Sequence, residues 1–242
     1  MSAGSSSTAT RLFLIGLAIV VILLMGYLAF RKFAAPVNRT AQVLDFLRRP
    51  DAHPDWMVRA GERCGDAPFI QPTDGFVGYL WDDSFRVGHR HQGIDVFGGR
   101  DVNMTLVIAA YPGYLTRMED WKSSIIMRVP EDPLRKGRQI WLYYTHMAGP
   151  AGDSYISSQF PAGVEEVYVE AGTLLGYQGN YSGDPGNPVG VHLHFSIVLD
   201  DGGGRFLNEL KIENTLDPSP YLGLPLNAAS NSGEIPLCQE TQ

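Results

Sequence analysis

Read for its hydrophobic period, the chain changes character twice. Residues 12–30, "LFLIGLAIVVILLMGYLAF", carry no charge. Wound as a helix at about 1.5 Å per residue, they cross roughly the 30 Å hydrocarbon core of a bilayer. A cleaved signal peptide has a shorter apolar region and a small-x-small cleavage site. Here "FRKFAAP" sets Phe33 two residues before Ala35 and a proline just after it. The pattern predicts an uncleaved transmembrane anchor at 12–30, preceded by a polar disordered tail at 1–11. Next, "VNRTAQVLDFLRRPD" spaces Val43, Leu44 and Leu47 at helical intervals, with Asn38 or Thr40 as the cap. This predicts a short helix in a stalk at 31–66, its apolar stripe packing on the body of the protein.

From residue 67 to 224 the period becomes two. "GFVGYLW", "GIDVF", "TLVIAA", "GYLTRM", "SSIIMRV", "RQIWLYYTHM", "GTLLGY" and "VHLHFSIVL" are short runs of β-formers divided by Gly, Pro, Asp or Asn. No long helical pattern separates them, which excludes βαβ units and predicts a mostly antiparallel all-β domain. Residues 225–242, polar and broken by Pro and Gly, read as a tail. Two connections exceed what strands need: 147–164 and 178–190. Such loops often wall a site, although for the first a plain insertion is as good a reading.

Charge adds one exclusion and one conflict. The formal net charge is −7 with no basic face in the sequence, which sets nucleic-acid binding aside. Arg11 precedes the apolar run, whereas Arg31, Lys32 and Arg39 come after it. The positive-inside tendency thus places the C-terminal body in the cytoplasm. The two cysteines, Cys64 and Cys238, are too few for a thiolate metal site. They either form a disulfide joining the two ends of the domain or remain separate thiols.

The candidate chemistry lies in the histidines. Along "VGVHLHFSIV", His192, His194 and Ser196 share one face of a strand, while Leu193, Phe195 and Ile197 line the core face. "GHRHQGIDVFGG" adds His91 and Asp95, four apart and so on one side of a strand or a helical turn. Two imidazoles and a carboxylate suit a borderline divalent ion such as zinc, with one position left open. His91, Asp95 and either strand histidine make such a set, and spacing alone does not choose between His89 and His91. In "QIWLYYTHM", alternation puts Tyr144 and His146 on one face at a strand's end.

His-x-Gly-Ile-Asp, then Tyr-x-His, then a Gly-rich run into His-Leu-His-Phe resembles the lysostaphin-type (LytM-domain) zinc metalloendopeptidases that cleave peptidoglycan. The resemblance covers residues 72–198. It includes "PTDGFVGYLWDD", similar to the family's opening turn and strand, and "LVIAAYPGYLTRM", similar to its hairpin. It implies an antiparallel β fold of the duplicated hybrid-motif type, with a groove across the sheet. It implies one Zn2+ per chain on His91, Asp95 and His194, with His146 and His192 as the catalytic pair outside the ligand set. His89 is left out, and Tyr144 is a candidate supporting donor to that pair. The chain departs from the family at Ser196, where an acidic residue is common, in the longer "SGDPGNPVG" loop, and in the hairpin "RVPEDPLRKGRQ". The domain at 67–224 is thereby expected to be a zinc peptidase acting on peptidoglycan peptides. A substrate outside the cell outweighs the loop charges, so the expectation is a single-pass membrane protein with its body on the extracytoplasmic side. Two other readings remain: a wall-binding regulator of other hydrolases without catalysis, and a non-haem iron oxygenase, whose usual His-x-Asp/Glu spacing differs from the four residues here.

Overall fold

The computed structural model describes residues 8–33, 39–84, 88–231 and 233–238. It divides into two units, 1–38 and 39–242. The first holds helix α1, Thr8–Phe33, which carries the apolar run. Its described apolar side chains, from Leu12 to Met25, are exposed. Among the described residues no helix is long and apolar enough to cross a membrane. Side chains 27–33, which include the end of the predicted span, lie outside the described set.

The second unit begins with helix α2, Arg39–Arg48. Strands β1 (Met57–Val58), β2 (Gly75–Tyr79), β3 (Ile94–Phe97), β4 (Leu106–Ile108), β5 (Gly113–Thr116), β6 (Ile125–Val129) and β7 (Ile140–Thr145) come next. Then come β8 (Val167–Val169), β9 (Leu174–Tyr177), β10 (Leu193–Leu199), β11 (Thr215–Leu216) and a final helical turn, α3 (Ser219–Leu222). Nine strands form one sheet in the order β1-β2-β3-β10-β7-β6-β5-β8, with β11 also on β10; β4 and β9 pair separately. Every strand pair is antiparallel. The eight runs predicted from alternation correspond to β2–β7, β9 and β10.

One face of the sheet makes the core. Leu193, Phe195 and Ile197 of β10 are fully buried there, with Ile94, Leu142, Tyr144 and Met127 from the neighbouring strands. The other face, around β2, β3 and β10, carries the site.

Residues 39–66 of the predicted stalk and the stretch after 224 belong to the same compact unit as the predicted domain. Helix α2 lies on β2, but the residues it buries differ from the predicted stripe. Val43 and Phe46 go inward against Phe76 and Phe97, while Leu44 and Leu47 are 45% and 37% exposed. The helix is pinned at its start. The Arg39 guanidinium donates to Asn231 Oδ1 at 2.7 Å and lies 3.5 Å from Asp83, and the Tyr79 hydroxyl reaches Thr40. The stretch read as a C-terminal tail buries Leu226 completely and pairs Asn227 with Trp81. Cys64 and Cys238 form a disulfide whose Cα atoms are 5.0 Å apart, fastening that stretch to the front of the domain. Of the two long loops, 147–164 is held by Ile156 and Phe160 in the core.

Candidate metal centre

The register of the sheet brings the first two groups together. His194 on β10 stands opposite Asp95 on β3, and opposite Thr145 on β7. Directly paired residues project to the same face with Cβ atoms about 5 Å apart. His194 Nδ1 accordingly lies 2.8 Å from Asp95 Oδ1. His91 arrives from the loop before β3, not from a strand. Its backbone N–H donates to the Asp83 carbonyl, and its own carbonyl accepts from Asp82, both at 2.8 Å. Gly93 lets that loop lie on β10, since a Cβ there would stand 2.2 Å from the Phe195 carbonyl oxygen. His91 Nε2 comes to 3.1 Å from both Asp95 Oδ1 and His194 Nδ1. These three side chains form the one His/Cys/Asp/Glu cluster of metal-site geometry among the described residues, and two of them are buried.

The donor chemistry fits a cation. His91 Nδ1 is 2.9 Å from the Leu80 carbonyl, which accepts only from a protonated nitrogen. With Nδ1 so protonated, Nε2 faces Asp95 and His194, donating to the carboxylate when it carries a proton and offering its lone pair to a cation when it does not. Burial opposes charge at Asp95, but the flanking imidazoles His91 and His192 and the hydrogen bonds from His194 and His91 outweigh it and hold the carboxyl well below its usual range. At His91, burial is likewise outweighed by Asp95 and the Leu80 carbonyl, so its pKa rises, whereas burial lowers that of His194.

Two further imidazoles reach the same place. His192 directly precedes β10, its Nδ1 2.6 Å from the Gly190 carbonyl and its Nε2 3.6 Å from Asp95 Oδ1. The ring of Phe97 stacks on it at 5.0 Å, and burial lowers its pKa to about 4. His146 comes just after β7 and has a left-handed backbone with φ of 70°. Its Nδ1 is 2.7 Å from the Tyr181 carbonyl, and its ring centre is 4.4 Å from that of His192. Both rings thus anchor one nitrogen on a carbonyl and turn the other inward.

The left-handed residue also corrects one expectation. Tyr144 and His146 do not share a face, because alternation ends at Thr145. Tyr144 is fully buried on the core side against Phe195, and its hydroxyl accepts from the Ala110 N–H at 2.9 Å. It cannot support the histidine pair. His89 lines the cleft but stands outside the three-residue cluster.

The cleft holding these groups has a volume of about 590 Å³. Sheet order divides its walls. On the β2–β3 side they are apolar: Val43 and Leu47 of α2, Tyr79 and Phe97. On the β7–β6 side they are hydroxyls: Ser124, Tyr143 and Thr145. Residues 181–183, 189 and 190 of the second long loop line it as well, whereas nothing from 147–164 does. Glu209 and Leu210 complete the wall. Of these groups the sequence hints at the α2 residues through their helical spacing; nothing in it marks Glu209.

No protein-family model matches the chain, and no curated protein matches it. Solved structures do. The chain is similar to the catalytic domain of the antimicrobial peptidase lysostaphin from Staphylococcus simulans, at 20% identity and a TM-score of 0.39, over 62% of this chain and 90% of that one. It is similar to a longer lysostaphin chain from the same organism at 18% identity and a TM-score of 0.40, over 66% of this chain and 52% of that one. A third likeness is to the catalytic domain of the prophage-encoded M23 protein EnpA from Enterococcus faecalis, at 18% identity and a TM-score of 0.37, over 62% and 96% of the two chains. At these scores the likenesses carry no argument about what the chain does.

Proposed function

We propose that the protein is a zinc-dependent endopeptidase that hydrolyses peptide bonds of cell-wall peptidoglycan. The observation that carries this reading is the convergence of His91 Nε2, Asp95 Oδ1 and His194 Nδ1 to 2.8–3.1 Å of one another, with His146 and His192 turned into the same cleft. His91, Asp95 and His194 would hold the ion. When bound there, zinc would supply Lewis acidity, polarising the scissile carbonyl and lowering the pKa of water toward neutrality. The remaining work falls to the chain. With Nδ1 committed to the Gly190 carbonyl, His192 offers Nε2 to a proton, and His146 does the same through Tyr181. One ring takes the proton of the attacking water and passes it to the leaving amine; the other steadies the oxyanion by donating from Nε2 when that nitrogen also carries a proton. The resemblance of the motifs to lysostaphin-type enzymes supports peptidoglycan as the substrate.

The substrate's location and the Cys64–Cys238 disulfide support a body on the outer side of the cytoplasmic membrane, attached through residues 12–30. Protease protection of the body in intact spheroplasts would overturn that placement. For the activity, the full-length protein in detergent is incubated with zinc and purified sacculi, and new peptide termini are sought by mass spectrometry. New termini that vanish with a chelator are expected. Binding to sacculi without new termini, from protein shown to hold its metal, would leave the non-catalytic wall-binding reading in its place.

A further inference from the structure

The turn at residues 208–210 inverts the usual partition of side chains. Asn208 builds it, its side chain accepting from the Leu210 N–H at 3.0 Å and its carbonyl from Asn214. Gln92, next to His91, donates to the Leu210 carbonyl at 3.0 Å and ties the turn to the metal-site loop. At the apex Leu210 is 70% exposed, while Glu209 beside it is half-buried and lines the cleft. A leucine in water and a carboxylate drawn inward is the opposite of what solvation favours.

The carboxylate accepts from its own backbone N–H, and no other described residue compensates it. Among the described residues Glu209 takes part in no salt bridge and no side-chain hydrogen bond to another residue. The neighbouring hydroxyls satisfy each other: Tyr143 donates to Ser124 at 3.0 Å, and Ser124 and Thr145 are 2.7 Å apart. Tyr143 feels the Glu209 charge, so the carboxylate sits on the β7–β6 side of the metal cluster. No described residue lining the cleft is Lys or Arg. A half-buried carboxylate that no other side chain pairs, in a cleft with no Lys or Arg among its described lining residues, is open to a donor that arrives with the ligand.

We propose that Glu209 is a specificity-determining residue that receives a primary ammonium group of the substrate peptide on the β7–β6 side of the scissile bond. The proposal rests on the peptidase reading of the same cleft and adds to it the charge of the substrate. A peptide bearing a free amine is favoured, and the same peptide with that amine acylated is rejected, because the carboxylate is then left against an uncharged amide. A charge-assisted hydrogen bond of this kind makes about tenfold or more difference.

The test uses soluble peptides released from purified sacculi, half of each batch acetylated at its amines. The full-length protein is compared with Glu209→Gln, Glu209→Asp and Glu209→Lys. Both kcat/KM and equilibrium binding of labelled peptides are measured, with metal content as the control for folding. The wild type is expected to favour the free-amine peptides about tenfold. Glu209→Gln should bring the ratio near one, Glu209→Asp should restore part of it, and Glu209→Lys should reverse it. Cleavage without a preference for the amine, or a preference that survives in Glu209→Gln, overturns the proposal. A binding preference lost in Glu209→Gln, with no cleavage by any form, would leave Glu209 as the amine site and remove the peptidase reading.

Discussion

The Cys64–Cys238 bridge offers the prediction whose size comes most directly from the structure. The perturbation is its removal, by reduction or by Cys64→Ala with Cys238→Ala. The bond spans a sequence separation of 174 residues, nearly the whole described domain. Closing a loop of that length in the unfolded chain lowers its entropy enough to stabilise the fold by about 5 kcal/mol in the loop-closure model. Domains have about 5–15 kcal/mol in total, so the bridge is a large share. At a urea slope of about 2 kcal/mol per molar, its loss should move the unfolding midpoint down by roughly 2–3 M. The slope itself should rise, because an unbridged unfolded chain exposes more surface. The assay is urea unfolding of the full-length protein monitored by tryptophan fluorescence, oxidised and reduced side by side. Coincident curves, or two titratable thiols in the native unreduced protein, would refute the reasoning.

Three further outcomes concern the site. His194→Ala should lose its metal by elemental analysis, whereas His192→Ala should keep it and lose turnover by about 10²–10⁴-fold; full activity in His192→Ala would remove the role given to that ring. Gly93→Ala forces its Cβ against the Phe195 carbonyl and should cost about 1–3 kcal/mol in urea unfolding while weakening metal affinity, and an unchanged midpoint would show that the loop does not lie on β10 as described. Burial raises the pKa of Glu209, so the folded state carries a cost while that group is charged, and the cost is relieved as pH falls through the folded pKa. Glu209→Gln should therefore melt higher than the wild type near pH 7.5, with the gap closing toward pH 4; an equal or lower Tm at pH 7.5 would contradict a net burial cost at this carboxylate.

The strands that position the cluster were readable because their alternation is strict. Leu193, Phe195 and Ile197 against His194 and Ser196 fixes which face of β10 meets the core. What alternation could not give was the end of the pattern. His146 sits one residue beyond β7 in a left-handed conformation, and a period-two reading carried through it wrongly pairs it with Tyr144. Likewise β1, β8 and β11 are two or three residues long and have no period to detect. Spacing predicted the helix α2, but the residue it buries most deeply, Phe46, lies outside the predicted stripe of Val43, Leu44 and Leu47. Glu209 was invisible for a different reason. Its inward orientation is set by the Asn208 turn and by Gln92, more than a hundred residues away in sequence.

Arg39 is where the chain coming from α1 enters the folded unit. Its guanidinium is moored to Asn231 and Asp83, and the Asp83 carbonyl in turn receives the His91 N–H. One residue, Asp83, therefore links the start of α2 to a member of the candidate metal cluster, alongside the packing of α2 on β2. The start of α2 is thereby two contacts from His91, so a substitution at Arg39 would be felt at the loop that carries this histidine as well as at the helix itself.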